Sequence, residues 1–260
     1  MDIATFNVNS IKARLPAVTQ WLDDKSPDIA CLQEIKTVDE GFPVSEFEDR
    51  GYNVITHGQK SYNGVAILSK FPIEEHMARL PGDDDDEQAR YLEAVISAPR
   101  GPVRVASIYL PNGNPAPGPK YDYKLEWMTR LKTHIEGLLQ FEEPLILAGD
   151  YNVIPRPIDC YDPAAWMGDA LYRPETLAAF RKLLFTGLTS AFMQKDGRAE
   201  QYTFWDYQAG AWQRGNGIRI DHLLLSAQAA DRLSAIRIDK YVREKERPSD
   251  HVPFVGTFDL

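Results

Sequence analysis

Residues Leu145–Pro155 read Leu-Ile-Leu-Ala-Gly-Asp-Tyr-Asn-Val-Ile-Pro. Leu145 to Ala148 is a short, unbroken apolar run, the pattern of a strand buried on both faces. Gly149 loosens the backbone, and Asp150 and Asn152 follow at a spacing of two. On an extended chain that spacing sends both side chains to one face. A carboxylate and a carboxamide then leave a buried strand side by side. Phosphoryl hydrolysis uses such a pair, one group to take a proton from water and the other to hydrogen-bond a phosphate oxygen. The same Gly-Asp-Tyr-Asn also reads as a plain turn, because Gly, Asp and Asn favour turns.

Working outward, more polar residues stand at the ends of apolar runs. Ile3–Phe6 forms a first strand that stops at Asn7-Val8-Asn9-Ser10. Ser10 is a candidate helix N-cap, with Ile11, Leu15, Val18 and Leu22 following at helical intervals. Asp28–Leu32 is a second strand running into Gln33-Glu34; strand, helix, strand implies a parallel crossover. Glu34 needs a partner or a metal if buried. Lys36 is a weak candidate partner, since residues two apart on an extended chain seldom pair tightly.

Tyr52–Thr56, Val65–Ser69 and Ile73 onward read as strands, and Asp83–Asp86 as a solvated loop tip. Tyr91–Ala98 and Val103–Leu110 form a hairpin about Pro99–Pro102. A Gly/Pro-rich bend, Gly113–Pro119, leads into a helix with Leu125, Met128, Leu131, Ile135 and Leu138 on one face. Pro155–Tyr172 shows no periodicity. Glu175–Phe185 is a helix, Leu188–Phe192 a connector, Ile218–Leu225 a strand carrying Asp221, and Leu233–Ile238 another. Pro248-Ser249-Asp250-His251 precedes a last strand, Val252–Phe258.

Composition sets bounds on function. At 260 residues and 43% hydrophobic content, the chain can bury a full core, and the expectation is one domain over 1–260. A net charge of −9 argues weakly against nucleic acid, although a local basic rim can still steer phosphate. Cys31 and Cys160 show no metal-like spacing. Neither a leader pattern nor a membrane-length apolar stretch is present, so a soluble cytoplasmic monomer with reduced thiols is expected.

Asn7, Glu34, Tyr109, Asp150, Asn152, Asp221, Asp250 and His251 all fall at strand ends, where α/β enzymes assemble sites. This oxygen-rich set suits Mg²⁺ or Mn²⁺ over zinc. Each also has a structural reading: His251 a surface histidine, Tyr109 a core aromatic, Asn7 a cap, Asp221 half of an ion pair with Arg219.

Phe6-Asn7-Val8-Asn9, Leu32-Gln33-Glu34, Ile108-Tyr109-Leu110-Pro111, Gly149-Asp150-Tyr151-Asn152, Arg219-Ile220-Asp221 and Ser249-Asp250-His251 occur in the order found in the exonuclease III class. Over nearly its whole length the chain resembles the bacterial abasic-site endonucleases of that class, within the endonuclease/exonuclease/phosphatase superfamily. The resemblance implies an α/β fold, a four-layer αββα sandwich of two mixed β-sheets flanked by helices. It also implies a metal-dependent DNA phosphodiester hydrolase of base excision repair. Such an enzyme cleaves 5′ to abasic sites and trims blocked 3′ ends of double-stranded DNA.

By the same resemblance, Glu34 would be the main metal ligand, helped by Asn7 and Asp250, with Asp150, Asn152 and His251 also at the metal and phosphate. Asp150 would orient or deprotonate water, Asn152 and His251 would hydrogen-bond the phosphate, and Asp221 would hold the His251 ring. Tyr109 would contact the phosphate or leaving oxygen. Phe204, Trp205, Ile218 and Ile220 fall where the family builds an apolar pocket for a baseless sugar; their other reading is plain core. Arg90 and Arg214, with Lys12, Arg14, Lys60, Lys120, Lys124 and Arg219, are candidates for DNA-backbone contact. Asn9-Ser10 replaces a glycine common in relatives, and Phe204 a tryptophan of exonuclease III. The alternatives are a phosphodiesterase or phosphatase of the same fold acting on another phosphoester, or a DNA-binding relative with weak catalysis.

Overall fold

Alternation along the strands determines how the layers form. In the first strand, Ile3 and Thr5 face one way and Ala4 and Phe6 the other, yet all four are fully or almost fully buried. A strand buried on both faces must be sandwiched. The computed structural model, which describes residues 1–260, shows how. Its strands are β1 Asp2–Asn7, β2 Ile29–Gln33, β3 Asn53–His57, β4 Val65–Ser69, β5 Ile73–Ala78 and β6 Tyr91–Ala98, then β7 Gly101–Tyr109, β8 Leu145–Asp150, β9 Thr189–Ser190, β10 Asp221–Leu225, β11 Leu233–Ile238 and β12 Phe254–Phe258. The helices are α1 Ile11–Lys25, α2 Val44–Glu48, α3 Pro119–Leu138, α4 Pro163–Trp166, α5 Pro174–Leu184, α6 Ala191–Lys195, α7 Ala211–Arg214 and α8 Ala227–Ala230.

Two six-stranded sheets result, ordered β11-β12-β1-β2-β4-β3 and β5-β6-β7-β8-β10-β9. Both are mixed: β1 pairs parallel with β2 and β7 parallel with β8, and the remaining pairs are antiparallel. Ile3, Cys31 and Phe254 of the first sheet meet Val105, Ile146 and Leu223 of the second in a 23-residue core between the sheets. Ala4, Phe6 and Leu32 face outward onto Val18, Trp21 and Leu22 of α1. Ile108, Leu147 and Leu224 face outward onto Trp127, Leu131 and Ile135 of α3 and Phe180 of α5. This is the expected αββα sandwich. Cys31 and Cys160 are both free thiols. No helix is long and apolar enough to cross a membrane.

Several local expectations are corrected. Ser10 is not a side-chain cap. Its φ of 83° and the bond from its N–H to the Glu34 carbonyl, 2.7 Å, bend the entry of α1 around Glu34. Leu188–Phe192 is not a connector but β9 running into α6. Ile218 lies outside β10, in an isolated bridge with Phe204 and Cys160. Asp86 leaves the solvated loop tip to accept bonds from Arg130 and Tyr123. Gly149 does not loosen β8. A Cβ there would stand 2.2 Å from the Ile108 carbonyl oxygen, so this glycine permits close approach of β7.

Candidate active site

The strand ends at one edge of both sheets converge. Asn7 closes β1 and Glu34 follows β2 in the first sheet. Asp150 closes β8, Tyr109 closes β7 and Asp221 opens β10 in the second. The register places Asp150 opposite both Asp221 and Tyr109. His251 lies just before β12, bridged to Phe204. A buried polar chain ties the sheets together behind this edge: Thr5 Oγ1 donates to Gln33 Oε1 (3.1 Å) and Gln33 Nε2 to Ser107 Oγ (3.0 Å).

His251 and its carboxylates form the centre. The Nδ1 of His251 is 2.9 Å from Asp221 Oδ2, and its Nε2 is 3.7 Å from Asp150 Oδ2. All three residues are at most 3% exposed, so water screens none of these charges. Burial alone would depress His251, but Asp221 and Asp150 outweigh it and hold the imidazole toward its protonated form. Asp150 is pushed up by burial and then by Asp221 and Glu34, while His251 and Asn7 pull it back. Asp221 Oδ1 has no partner. Burial, Glu34 and Asp150 drive Tyr109 well above the usual phenol range, so it stands as a neutral hydroxyl.

Glu34, Asp150 and His251 each offer a ligand atom, all within 4.8 Å of one another. Asn7 Nδ2 spans the two carboxylates, 2.8 Å from Glu34 Oε1 and 2.9 Å from Asp150 Oδ2. The two hard carboxylates fit a divalent cation such as Mg²⁺. Asn7 is not the ligand expected: its NH2 faces both carboxylates and its Oδ1 accepts from the Asn9 N–H at 3.0 Å, so it steadies them instead. Glu34 does pair with Lys36, at 2.8 Å, against the expectation. Both residues have φ near +50°, so the segment is kinked and the extended-spacing argument fails. Although burial pushes it up, Lys36 and the Asn7 amide hold the Glu34 carboxyl below its ordinary range. Asp250 stands apart from the three-ligand cluster and accepts from Asn9 Nδ2 at 3.0 Å.

Asn152 also departs from the extended picture. Its φ is 47°, and its N–H bonds Asp150 Oδ1 at 2.9 Å. Its side-chain amide is held at both ends, donating to the Leu110 carbonyl (2.9 Å) and accepting from Asn112 Nδ2 (3.1 Å).

These residues open on a pocket of about 310 Å³. Its lining combines Glu34, Asp150, Asn152, Asp250 and His251 with the apolar Trp166, Leu171, Phe204, Ile218 and Ile220, and the Phe204 ring packs against His251 at 5.0 Å. A groove of about 630 Å³ shares Tyr109 and Asn112 with this pocket and continues past Arg90, Tyr62 and Lys120. The Arg90 guanidinium lies 4.8 Å over the Tyr109 ring.

Seven expected contacts fall elsewhere: Lys12, Arg14 and Lys60 line neither the pocket nor the groove, and four more are displaced as follows. Trp205 is 3% exposed and packs on Tyr202, Trp212, Ala211 and Val252, so the core reading holds for it. Arg214 is exposed at the end of α7 and lines neither the pocket nor the groove. Lys124 is fully buried on the inner face of α3, where its ammonium nitrogen donates to the Asn112 and Asn152 carbonyls. Arg219 is buried and pairs with Asp159 at 2.7 Å, which leaves Asp221 to His251. Trp166, Leu171 and Asn112 escaped the sequence reading. Trp166 and Leu171 sit in an aperiodic stretch, where only aromatic content gave a signal.

The profile of the Endonuclease/Exonuclease/phosphatase family matches residues 4–251. Exodeoxyribonuclease III of Haemophilus influenzae is 31% identical over 266 residues, covering 99% of this chain and all of that one. An AP endonuclease from Archaeoglobus fulgidus superimposes with a TM-score of 0.95 at 36% identity, over the full length of both chains. A 3′ phosphatase from Neisseria, solved with a product DNA hairpin, superimposes with a TM-score of 0.96 at 38% identity, again over both full chains. The chain therefore belongs to the endonuclease/exonuclease/phosphatase family, in its exonuclease III class.

Proposed function

We propose that this protein is a metal-dependent DNA-repair nuclease that hydrolyses phosphodiesters 5′ to abasic sites and trims 3′ ends as an exonuclease and 3′-phosphatase. The observation that carries the reading is the Asp221–His251–Asp150 array beside Glu34, where both sheets end at one pocket. Glu34 and Asp150, steadied by the Asn7 NH2 between them, would hold Mg²⁺ or Mn²⁺, which when bound supplies positive charge to the phosphate oxygens.

The protein's own groups perform the remaining steps. Asp221 fixes the His251 ring so that Nε2 faces the phosphate as a donor. Asp150, adjacent to Nε2, takes a proton from the attacking water. Tyr109, a neutral hydroxyl, donates to the phosphate or leaving oxygen. Asn152, clamped by Leu110 and Asn112, sets the position of Asp150 through its N–H. The apolar wall of Phe204, Ile218 and Ile220 receives the sugar on the 3′ side of the cut. A baseless sugar costs little to unstack. Arg90 and Lys120 line the groove along which the DNA backbone runs. The protein acts as a monomer.

The test is incision of a labelled duplex carrying one tetrahydrofuran residue, in Mg²⁺ and in EDTA, beside a duplex with a recessed 3′ end. Metal-dependent cutting 5′ to the analogue is expected, with Asp150→Asn slower by about 10²–10⁴-fold. Degradation of the 3′ end without incision would make the protein an end-trimming enzyme only. Inertness toward both duplexes would overturn the reading.

A further inference from the structure

Lys124 projects from the inner face of α3 and is 0% exposed. Its side-chain nitrogen donates to the backbone carbonyls of Asn152, at 2.6 Å, and Asn112, at 3.0 Å. Those two residues lie in the loops that leave β8 and β7, and the Asn112 side-chain amide donates to Asn152 Oδ1. Resting on the nuclease reading, we propose that Lys124 is a positioning residue for the reaction. It pins the backbones beyond β7 and β8 together and so fixes Asn152, whose N–H holds Asp150. Lys124 lines neither the pocket nor the groove, so it acts only through these neighbours.

Chemistry and shape both point to this role. Enclosing an ammonium is costly even when its protons find acceptors, and an apolar side chain of the same length would fill the space at lower cost. Burial pulls the Lys124 ammonium down to about 7, while Asp150 and Asp169 pull it up. Charged or neutral, the nitrogen keeps the two N–H groups that both carbonyls need. Asn152 is kinked, with φ 47°, and 4% exposed, so its carbonyl requires a donor from the protein, which Lys124 supplies. The chain is also shaped to admit the lysine stem. Gly113 has φ 90°, and a Cβ there would stand 2.7 Å from Lys124 Cδ, so the bend after Asn112 closes over the stem because residue 113 is glycine.

The test is a double-mutant cycle between Lys124→Met and Asp150→Asn on the tetrahydrofuran duplex, at a temperature where melts show every variant folded. Lys124→Met keeps the length and loses the donor. It is expected to lower kcat by about 10–100-fold with KM unchanged. In the Asp150→Asn background, read in single turnovers with enzyme in excess, the same change should cost little more, because the group it positions is already lost. A purely structural role would lower Tm and leave the kcat of the folded enzyme at the wild-type value. That result would overturn the proposal, as would a change in KM alone or losses that simply multiply. Gly113→Ala crowds the lysine without removing a donor, and carries the test if Lys124→Met does not fold. Its kcat loss should likewise disappear in the Asp150→Asn background, and an unchanged kcat would overturn the proposal. A wild-type protein inert on the duplex would instead overturn the nuclease reading, an outcome distinct from an active wild type matched by its Lys124→Met variant.

Discussion

At the scale of single residues, two buried histidines show opposite electrostatic designs. His251 faces two carboxylates and is held toward its charged form. Asp221 is what orients it, so Asp221→Asn, which keeps the shape but not the charge, is expected to cut kcat about a hundredfold or more in the abasic-site assay. A thermal melt should show the fold intact. His222, one residue after Asp221, is fully enclosed. Its Nε2 donates to the Val153 carbonyl and its Nδ1 accepts from Arg219. Burial, with Arg219 beside it, pushes His222 down to about 3. The unfolded chain protonates this ring near pH 6.5 and the folded chain does not, so the unfolded state binds the extra proton between those values. Stability from this residue is present above about pH 6.5 and is lost on acidification toward pH 3, by about 1.4 kcal/mol per pH unit. Urea titrations of wild type and His222→Gln at pH 7 and pH 5 should show a shallower acid loss in the variant. Equal losses would refute this assignment.

At the scale of elements, the close contact of β7 with β8 is the sharpest constraint. Gly149→Ala places a methyl group against the Ile108 carbonyl. The strands must part, at a cost of about 1–3 kcal/mol, and Asp150 moves with β8. A Tm several degrees lower together with a reduced kcat is expected; a wild-type Tm would show that β7 yields freely. This constraint was invisible in the chain itself, where Gly149 reads as a loosening residue. The strands were legible because apolar runs such as Leu145–Ala148 and Val65–Ser69 announce burial on two faces. Leu233–Ile238 was placed to the residue. What escaped depends on neighbours distant in sequence. Lys124 reads as a surface cation until α3 turns it inward onto two carbonyls. Arg219 reads as a partner for Asp221 until Asp159 claims it. Trp205 and Phe204 look equivalent, yet only Phe204 lines the pocket. The site residues Glu34, Asp150, Asp221 and His251 were readable because each stands where an apolar strand stops or starts. Their geometry was not, since kinks at Glu34 and Asn152 replace the extended chain assumed.

At the scale of the whole molecule, the site is the seam between two sheets. Glu34 belongs to one and Asp150 to the other. A cation shared by them would bind the folded protein and not the unfolded chain, adding about 2.7 kcal/mol at a hundredfold excess over Kd. For a protein of this size that is a Tm rise of roughly 5–10 °C. Scanning calorimetry with and without Mg²⁺ checks it, and Glu34→Gln should abolish the rise. The antiparallel pairing of β1 with β12, which sets Asp2 beside Thr257, carries a different consequence. During synthesis β1 and β2 leave the ribosome early, while the strand that covers the other edge of β1 is made last. For most of translation that edge is an open ladder of hydrogen-bonding groups, a template for mispairing with neighbouring nascent chains. A permuted gene that encodes β12 directly before β1 would close the edge at the start, and should give a higher soluble yield from the same ribosomes.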